Sequence, residues 1–366
     1  MKLFTCEHCG QTLYFDNFNC IRCQHELGFL PDRMVLSALH LRGKNWRPVD
    51  AQANSIEYRK CANYSEHNLC NWMIPSSDPD TYCVACRLNQ TIPDLGVEGN
   101  TALWRRLEAE KRRLVFSLMR LDLPLEPKTK TNTEGLAFAF LSDDPGSAFR
   151  EDAEQVLTGH AAGLITLNIA EADDATREDM RQQMGEPYRT LLGHFRHESG
   201  HYYWDRLVQG TDWLEPFRAL FGDETQDYQA SLQTHYEQGA PADWQNHFVS
   251  TYASSHPWED WAETWAHYLH IADTLETARA FGLRVKPRVD DADDLSTGVP
   301  FDPYRSRNFE PLIEQWLPVT YALNSLNQSM GQPDLYPFIL APKAIEKLSF
   351  VHRIILDHRE HRAPPL

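Results

Sequence analysis

The chain has 366 residues, 24% of them charged and 42% hydrophobic, with a formal net charge of −17. That length buries a sizeable core and leaves room for two domains, while the acidic balance argues against nucleic-acid binding, which needs clustered Lys and Arg to neutralise phosphates. No run of about 18 apolar residues occurs, so no membrane span is expected, and Met1-Lys2-Leu3-Phe4-Thr5-Cys6 lacks the apolar stretch of a signal peptide.

All eight cysteines fall in the first 86 residues. Cys6-x2-Cys9 and Cys20-x2-Cys23, separated by ten residues, have the spacing of four thiolates around one zinc ion. Cys61, Cys70, Cys83 and Cys86 form a second set, with one tight knuckle and one wider pair. Without a secretory signal the expected location is cytoplasmic, where thiols bind metal rather than form disulfides. Residues 1–97 are therefore expected to be a small β zinc-ribbon domain with two four-cysteine zinc sites, whose first unit, residues 1–32, is too small to fold without metal. Within it, residues 1–32 read as a knuckle–hairpin–knuckle unit with a short strand in Thr12-Leu13-Tyr14-Phe15, and residues 33–97 as a second metal-held unit. His8, His25 and His67 read as surface histidines.

Residues 101–121 read as a long helix with Leu103, Leu107, Leu114, Leu118 and Leu121 on one face. Arg105-Arg106 and Lys111-Arg112-Arg113 fit the opposite face, for which solvation is the ordinary reading. After a loop over 122–135, residues 136–141 and 163–169 are strands. The second is a candidate edge strand for pairing with an extended substrate backbone, a role compatible with a place in the core. A polar stretch, 171–183, follows it.

Arg196-His197-Glu198-Ser199-Gly200-His201 is the most informative stretch. Tyr188, Leu191, Leu192 and Phe195 before it, and Tyr202, Tyr203 and Leu207 after it, are spaced as the buried face of one helix starting near Pro187. On a helix His197 and His201 lie one turn apart on one face and can hold one zinc ion. Glu198 points beside that ion, where a carboxylate can take a proton from zinc-bound water. Gly200 costs about 1 kcal/mol relative to Ala in a helix interior, and a small residue there permits close packing near the metal.

Residues 210–247 read as mainly helical, with an acidic run over 223–227 whose ordinary role is a solvated face. Pro257 then starts a further helix with Trp261, Trp265, Tyr268 and Leu269 on one face. Glu259 and Glu263 lie one turn apart on it. A carboxylate on a second helix meets the need of an H-E-x-x-H zinc for a third protein ligand. Glu263 would then hydrogen-bond a ligand histidine and fix its tautomer. His256, Asp260 and His267 are the reserve candidates for the ligand. Residues 282–310, including the acidic 290–294, read as a loop, and 311–327 and 341–358 as two helices.

Phe4-Thr5-Cys6-Glu7-His8-Cys9, Leu69-Cys70-Asn71-Trp72, residues 193–204 and residues 256–267 together resemble the family of bacterial zinc-binding metallopeptidases with an N-terminal zinc ribbon. The string Glu259-Asp260-Trp261-Ala262-Glu263 is similar to the glutamate-ligand element of the gluzincin peptidases. That resemblance implies Glu259 as the ligand, Glu263 as the residue behind it, and Tyr252 as the candidate oxyanion donor, beside its ordinary role in packing. The metzincin pattern is absent, with Trp204 and Leu207 where its glycine and third histidine would stand. The expectation is an α+β chain, with residues 98–366 a mainly helical zincin-like metallopeptidase domain carrying a small antiparallel sheet. It would hold one catalytic and two structural zinc ions and act on a peptide or protein substrate, with the ribbons available to a protein partner. The alternative is a zinc-ribbon binding or scaffold protein whose H-E-x-x-H zinc site is structural or vestigial, and the intact Glu198 argues against it.

Overall fold

In the computed structural model, which describes residues 2–52, 55–143, 156, 158–288 and 295–361, the chain opens on a short hairpin. β1 (Phe4–Thr5) pairs antiparallel with β2 (Thr12–Leu13). The turn between them carries Cys6 and Cys9, and the Cys6 carbonyl accepts the Gly10 N–H at 2.8 Å. Gly10 has φ +74°, which a residue without Cβ adopts freely.

β3 (Glu26–Leu30), β4 (Val35–Arg42), β5 (Asn45–Pro48), β6 (Tyr58–Lys60) and, after the one-turn helix α1 (Ala62–Ser65), β7 (Met73–Pro75) form one antiparallel meander in chain order. The division expected at residue 32 is not found, because β3 pairs along its whole length with β4. The reason is apolar area. Leu27, Phe29 and Leu30 are fully buried, and Phe29 packs on Trp72 with ring centroids 4.6 Å apart. A thirty-residue knuckle lacks enough core of its own.

β8 (Asn89–Thr91) leads into α2 (Asn100–Arg120), which carries the chain back to β9 (Ala137–Leu141). β8 and β9 are parallel, as a crossover helix allows, so the sheet is not purely antiparallel as expected. Leu107, Leu114 and Leu118 of α2 are buried as the periodicity predicts. The opposite face is not solvated throughout. Arg105 and Arg106 are exposed, but Lys111 is 0% and Arg112 2% exposed. Lys111 Nζ bonds Glu108 at 2.9 Å and lies over Phe138 and Phe140, and Arg112 donates to the Leu69 carbonyl. Buried charges persist only with such partners.

β10 (Gly159–Ala161) and β11 (Leu164–Asn168) are joined through Ala162-Gly163, both at positive φ as a tight hairpin turn requires. β11 has a neighbour on each side, β9 and β10, so the segment expected as an edge strand is internal. The outer position belongs to β10, whose three residues Gly159-His160-Ala161 carry no hydrophobic pattern to reveal it.

The polar stretch after β11 contains a helix, α3 (Asp174–Met184). α4 (Leu191–Leu207) carries the motif. It begins at Leu191 rather than Pro187, because Thr190 Oγ1 accepts the Gly193 N–H at 3.0 Å and caps it. α5 (Leu214–Phe221) and α6 (Tyr228–Gln238) follow, then α7 (Pro257–Ala280), α8 (Glu310–Ser329) and α9 (Pro342–His361). The last two match the helices expected from sequence. The acidic segment 290–294 lies outside the described residues. Among the described residues no helix is long and apolar enough to cross a membrane.

The chain clusters into two compact units, Met1–Val115 with Leu125–Thr158 and Thr166–Asp173, and Phe116–Pro124 with Gly159–Ile165 and Asp174–Leu366. In the second unit α7 is the central helix, packed against α4, α8 and α9 and buried on nearly every face. Pro257 occupies its first turn, and His256 Nδ1 caps it by accepting the Trp258 N–H at 3.1 Å. Gly200 sets how closely α4 approaches it. A Cβ there would lie 2.9 Å from Ala262 Cα and 3.2 Å from Trp265 Cβ. Two indoles then tie the helices together, Trp261 Nε1 to the Gly200 carbonyl at 2.8 Å and Trp265 Nε1 to Ser199 Oγ at 3.2 Å.

Candidate metal centres

α4 presents His197 and His201 on one face, with ring centroids 5.0 Å apart. The first turn of α7 brings Glu259 to them. Its Oε2 lies 3.0 Å from His197 Nε2 and 3.5 Å from His201 Nε2. One ligand atom from each of the three residues lies within 4.8 Å of the others. Glu263, one turn along α7, accepts a hydrogen bond from His197 Nδ1 at 2.7 Å. With a neutral His197 donating from Nδ1 to Glu263, Nε2 turns a lone pair toward Glu259 Oε2 and a cation fits between them. Without an ion a proton takes that place, since burial opposes the charged ring but the hydrogen bonds and charges of Glu259 and Glu263 raise the His197 pKa well above its usual value. Glu259 Oε2 is itself buried without a hydrogen-bond partner. Two imidazoles and a carboxylate are a donor set of zinc, so the residues present fit that ion.

The charges around this trio are consistent with a cation. Burial alone raises the Glu259 pKa, but the positive charge and hydrogen bonds that protonated His201 and His197 offer it hold it well below the carboxylate range, the role a bound cation would take over. Burial likewise opposes ionisation of Glu263, yet the hydrogen bond and charge of His197 bring it to about 2. Both carboxylates are therefore charged near neutral pH.

Several groups position the trio. Tyr228, at the start of α6, donates its hydroxyl to Glu259 Oε1 at 2.6 Å, leaving Oε2 to the imidazoles. Ser250 Oγ donates to the second oxygen of Glu263 at 2.6 Å. Trp258 stacks on His201 with centroids 3.8 Å apart, and His160 of β10 lies 6.2 Å from both rings. Trp258 also lines a cavity of about 530 Å³ with Trp204, Asp205, Leu214 and Arg218. Tyr252 is half-buried, its ring 5.9 Å from that of His197. Burial and then the nearby Glu259 push its pKa well above the usual phenol value, so it remains a donor.

Glu198 is not part of the trio. It is 8% exposed, and its Oε2 is buried without a partner. The reserve ligand candidates are occupied elsewhere. Asp260 pairs with Lys347 at 2.5 Å, His267 Nδ1 meets the Tyr336 hydroxyl at 2.6 Å, and His256 caps α7. Tyr228, Ser250, Trp258 and His160 were not among the residues expected from sequence. Only Trp258 had a local signal, since it adjoins Glu259.

The cysteines gather as their spacing predicts. Cys6, Cys9, Cys20 and Cys23 form one group and Cys61, Cys70, Cys83 and Cys86 another, each with all sulfurs within 4.8 Å. All eight thiols are free. Cys6–Cys23, Cys9–Cys20 and Cys70–Cys83 are 3.6, 3.5 and 3.7 Å apart. Those separations are too long for a disulfide and close to the roughly 3.8 Å edge of a tetrahedron with about 2.3 Å zinc–sulfur bonds. In the first cluster burial opposes the thiolate of Cys20, but the backbone N–H groups of Cys23 and Arg22 lower its pKa to about 7. The second cluster is wholly buried, and Arg112 senses the charge of Cys70 and Cys86.

Four-thiolate clusters and a trio of two imidazoles with one carboxylate are donor sets of zinc-binding proteins. The chain belongs to the family described as "Putative zinc-binding metallo-peptidase", whose profile matches residues 100–354, and a zinc-ribbon domain profile matches residues 3–97. Uncharacterized proteins of Mycobacterium tuberculosis and Mycobacterium bovis are 42% identical to it over 356 residues, covering 97% of this chain and 95% of each relative. No solved structure matches it.

Proposed function

We propose that the chain is a zinc-dependent peptide-bond hydrolase of the gluzincin type, with a zincin-like catalytic unit, one catalytic zinc and two ribbon zincs. The observation that carries this reading is the convergence of His197 Nε2, His201 Nε2 and the buried Glu259 Oε2, which lies 3.0 and 3.5 Å from the two nitrogens. When bound, zinc supplies Lewis-acid polarisation of a scissile carbonyl and lowers the pKa of bound water. His197, His201 and Glu259 hold the ion. Glu263 orients the His197 ring, and Tyr228 orients the Glu259 carboxylate. Glu198 accepts the proton of the attacking water, whose oxygen bonds to the carbonyl carbon. As the C–N bond breaks, Glu198 passes that proton to the leaving amine. Tyr252 donates to the oxygen on which negative charge develops. Eight free thiols, gathered as metal ligands, suit the cytoplasm, and the ribbons would serve a protein partner.

The buried Glu198 carboxylate favours an enzyme over a scaffold, since a structural zinc has no use for a base that is not a ligand. Metal retention tests the roles. Glu198→Gln should keep full zinc. Glu263→Gln should weaken the centre by roughly 10–100-fold. Glu259→Ala should lose it. Zinc titration of each full-length variant, read by elemental analysis against the ribbon zinc, gives the order. If neither Glu259→Ala nor Glu263→Gln changed zinc, the gluzincin reading would fall.

A further inference from the structure

The first cysteine cluster differs from the second in one respect. Its Cys9 and Cys23 are only half-buried, whereas all four sulfurs of the second are buried. On that open side lie two imidazoles, one from each knuckle. His8 is exposed and His25 half-buried, and their rings are stacked 4.1 Å apart at a 32° tilt. A nitrogen of each lies within 4.8 Å of Cys23 Sγ and of the other. His25 Nδ1 is buried without a hydrogen-bond partner.

We propose that His8, Cys23 and His25 form an additional metal position, sharing the Cys23 thiolate with the Cys6–Cys9–Cys20–Cys23 site. It would take a second borderline divalent ion such as zinc or cobalt. The inference rests on the tetrathiolate zinc reading and extends it. Four thiolates around one divalent ion leave a net charge of −2, and a metal-bound thiolate keeps lone pairs for a second cation. Two neutral imidazoles and one sulfur are donors that borderline ions accept, and solvent fills the remaining positions on the exposed side. Sharing its sulfur weakens the hold of Cys23 on the first ion, so the position would act as a port through which the ribbon exchanges metal. His8 and His25 thereby gain a role that their reading as surface histidines did not give them.

Cobalt distinguishes this position from exchange into the others. Full-length protein carrying zinc only at the three centres proposed above, with excess and weakly held zinc removed beforehand, is titrated with Co²⁺, and bound zinc, bound cobalt and thiolate-to-cobalt charge-transfer absorption are followed together. The expected result is one further cobalt per chain, with charge-transfer absorption and no loss of zinc. His8→Ala, at an exposed position that leaves the ribbon folded, should weaken that uptake roughly tenfold or more, and His8→Ala with His25→Ala should abolish it. Cobalt entering only as zinc leaves, no charge-transfer band, or undiminished uptake by His8→Ala would each overturn the proposal. A starting protein without zinc on the first cluster, read as no change in zinc content in Cys9→Ser, would fail the tetrathiolate reading and the proposal with it.

Discussion

Gly200→Ala tests whether the approach of α4 to α7 sets the metal centre. The new methyl would sit 2.9 Å from Ala262 Cα and 3.2 Å from Trp265 Cβ. Ordinary carbon–carbon contact is about 3.5–4.0 Å, so the helices must separate by roughly half an ångström or more. The first neighbour is backbone and cannot rotate away. Overpacking of this kind costs about 1–3 kcal/mol, offset by about 1 kcal/mol from the better helix propensity of Ala. The net is a destabilisation of up to about 2 kcal/mol, or up to roughly 8 °C in Tm for a unit of this size. The same shift opens the 3.5 Å His201–Glu259 separation, because His201 adjoins Gly200 and Glu259 lies one turn before Ala262. Metal sites tolerate only about ±0.2 Å in ligand distance, so zinc at this centre should be released to a chelator more readily while the ribbon zinc is unaffected. Thermal melts and chelator competition on the two proteins measure both effects. A raised Tm with unchanged zinc affinity would show that this crossing does not set the site.

Two further outcomes follow from groups around the core. Tyr228→Phe removes the hydroxyl that holds Glu259 Oε1 and should weaken zinc at the trio by roughly tenfold without changing the fold; chelator competition and circular dichroism check it, and unchanged affinity would remove Tyr228 from the site. His352 is buried against the Tyr268 hydroxyl at 2.9 Å, and burial lowers its pKa from 6.5 to about 4. The unfolded chain binds that proton first, so folding stability present above pH 6.5 is lost as pH falls toward 4, by roughly 3 kcal/mol in all. The slope of denaturant-derived stability against pH in that window should be shallower in His352→Gln, and an identical slope would refute the assignment.

What was legible in the sequence was local. His197 and His201, and Glu259 and Glu263, are each one helical turn apart, so spacing alone put each pair on one face. The structure then brings the two faces together through Gly200. The paired CxxC knuckles were legible for the same reason. Tyr228 was not, because it reaches Glu259 from another helix at a separation of 31 residues, and no pattern in α6 marks it. Lys111 and Arg112 read as a solvated face because a sequence does not display the Glu108 carboxylate, aromatic rings and cysteine cluster that surround them. α3 was missed because its polar sequence offers no apolar stripe. β10 was missed because three residues are too few for a period, and β11 consequently read as an edge.

The central claim is that Glu198 is a base beside a bound zinc. Wild type and Glu198→Gln are compared on a whole-proteome peptide library, with new N-termini counted and zinc content measured on the same samples. The account predicts cleavage by wild type, loss of nearly all of it in Glu198→Gln, and equal zinc in both. Equal cleavage by the two proteins, or loss of the trio's zinc in Glu198→Gln, would contradict it.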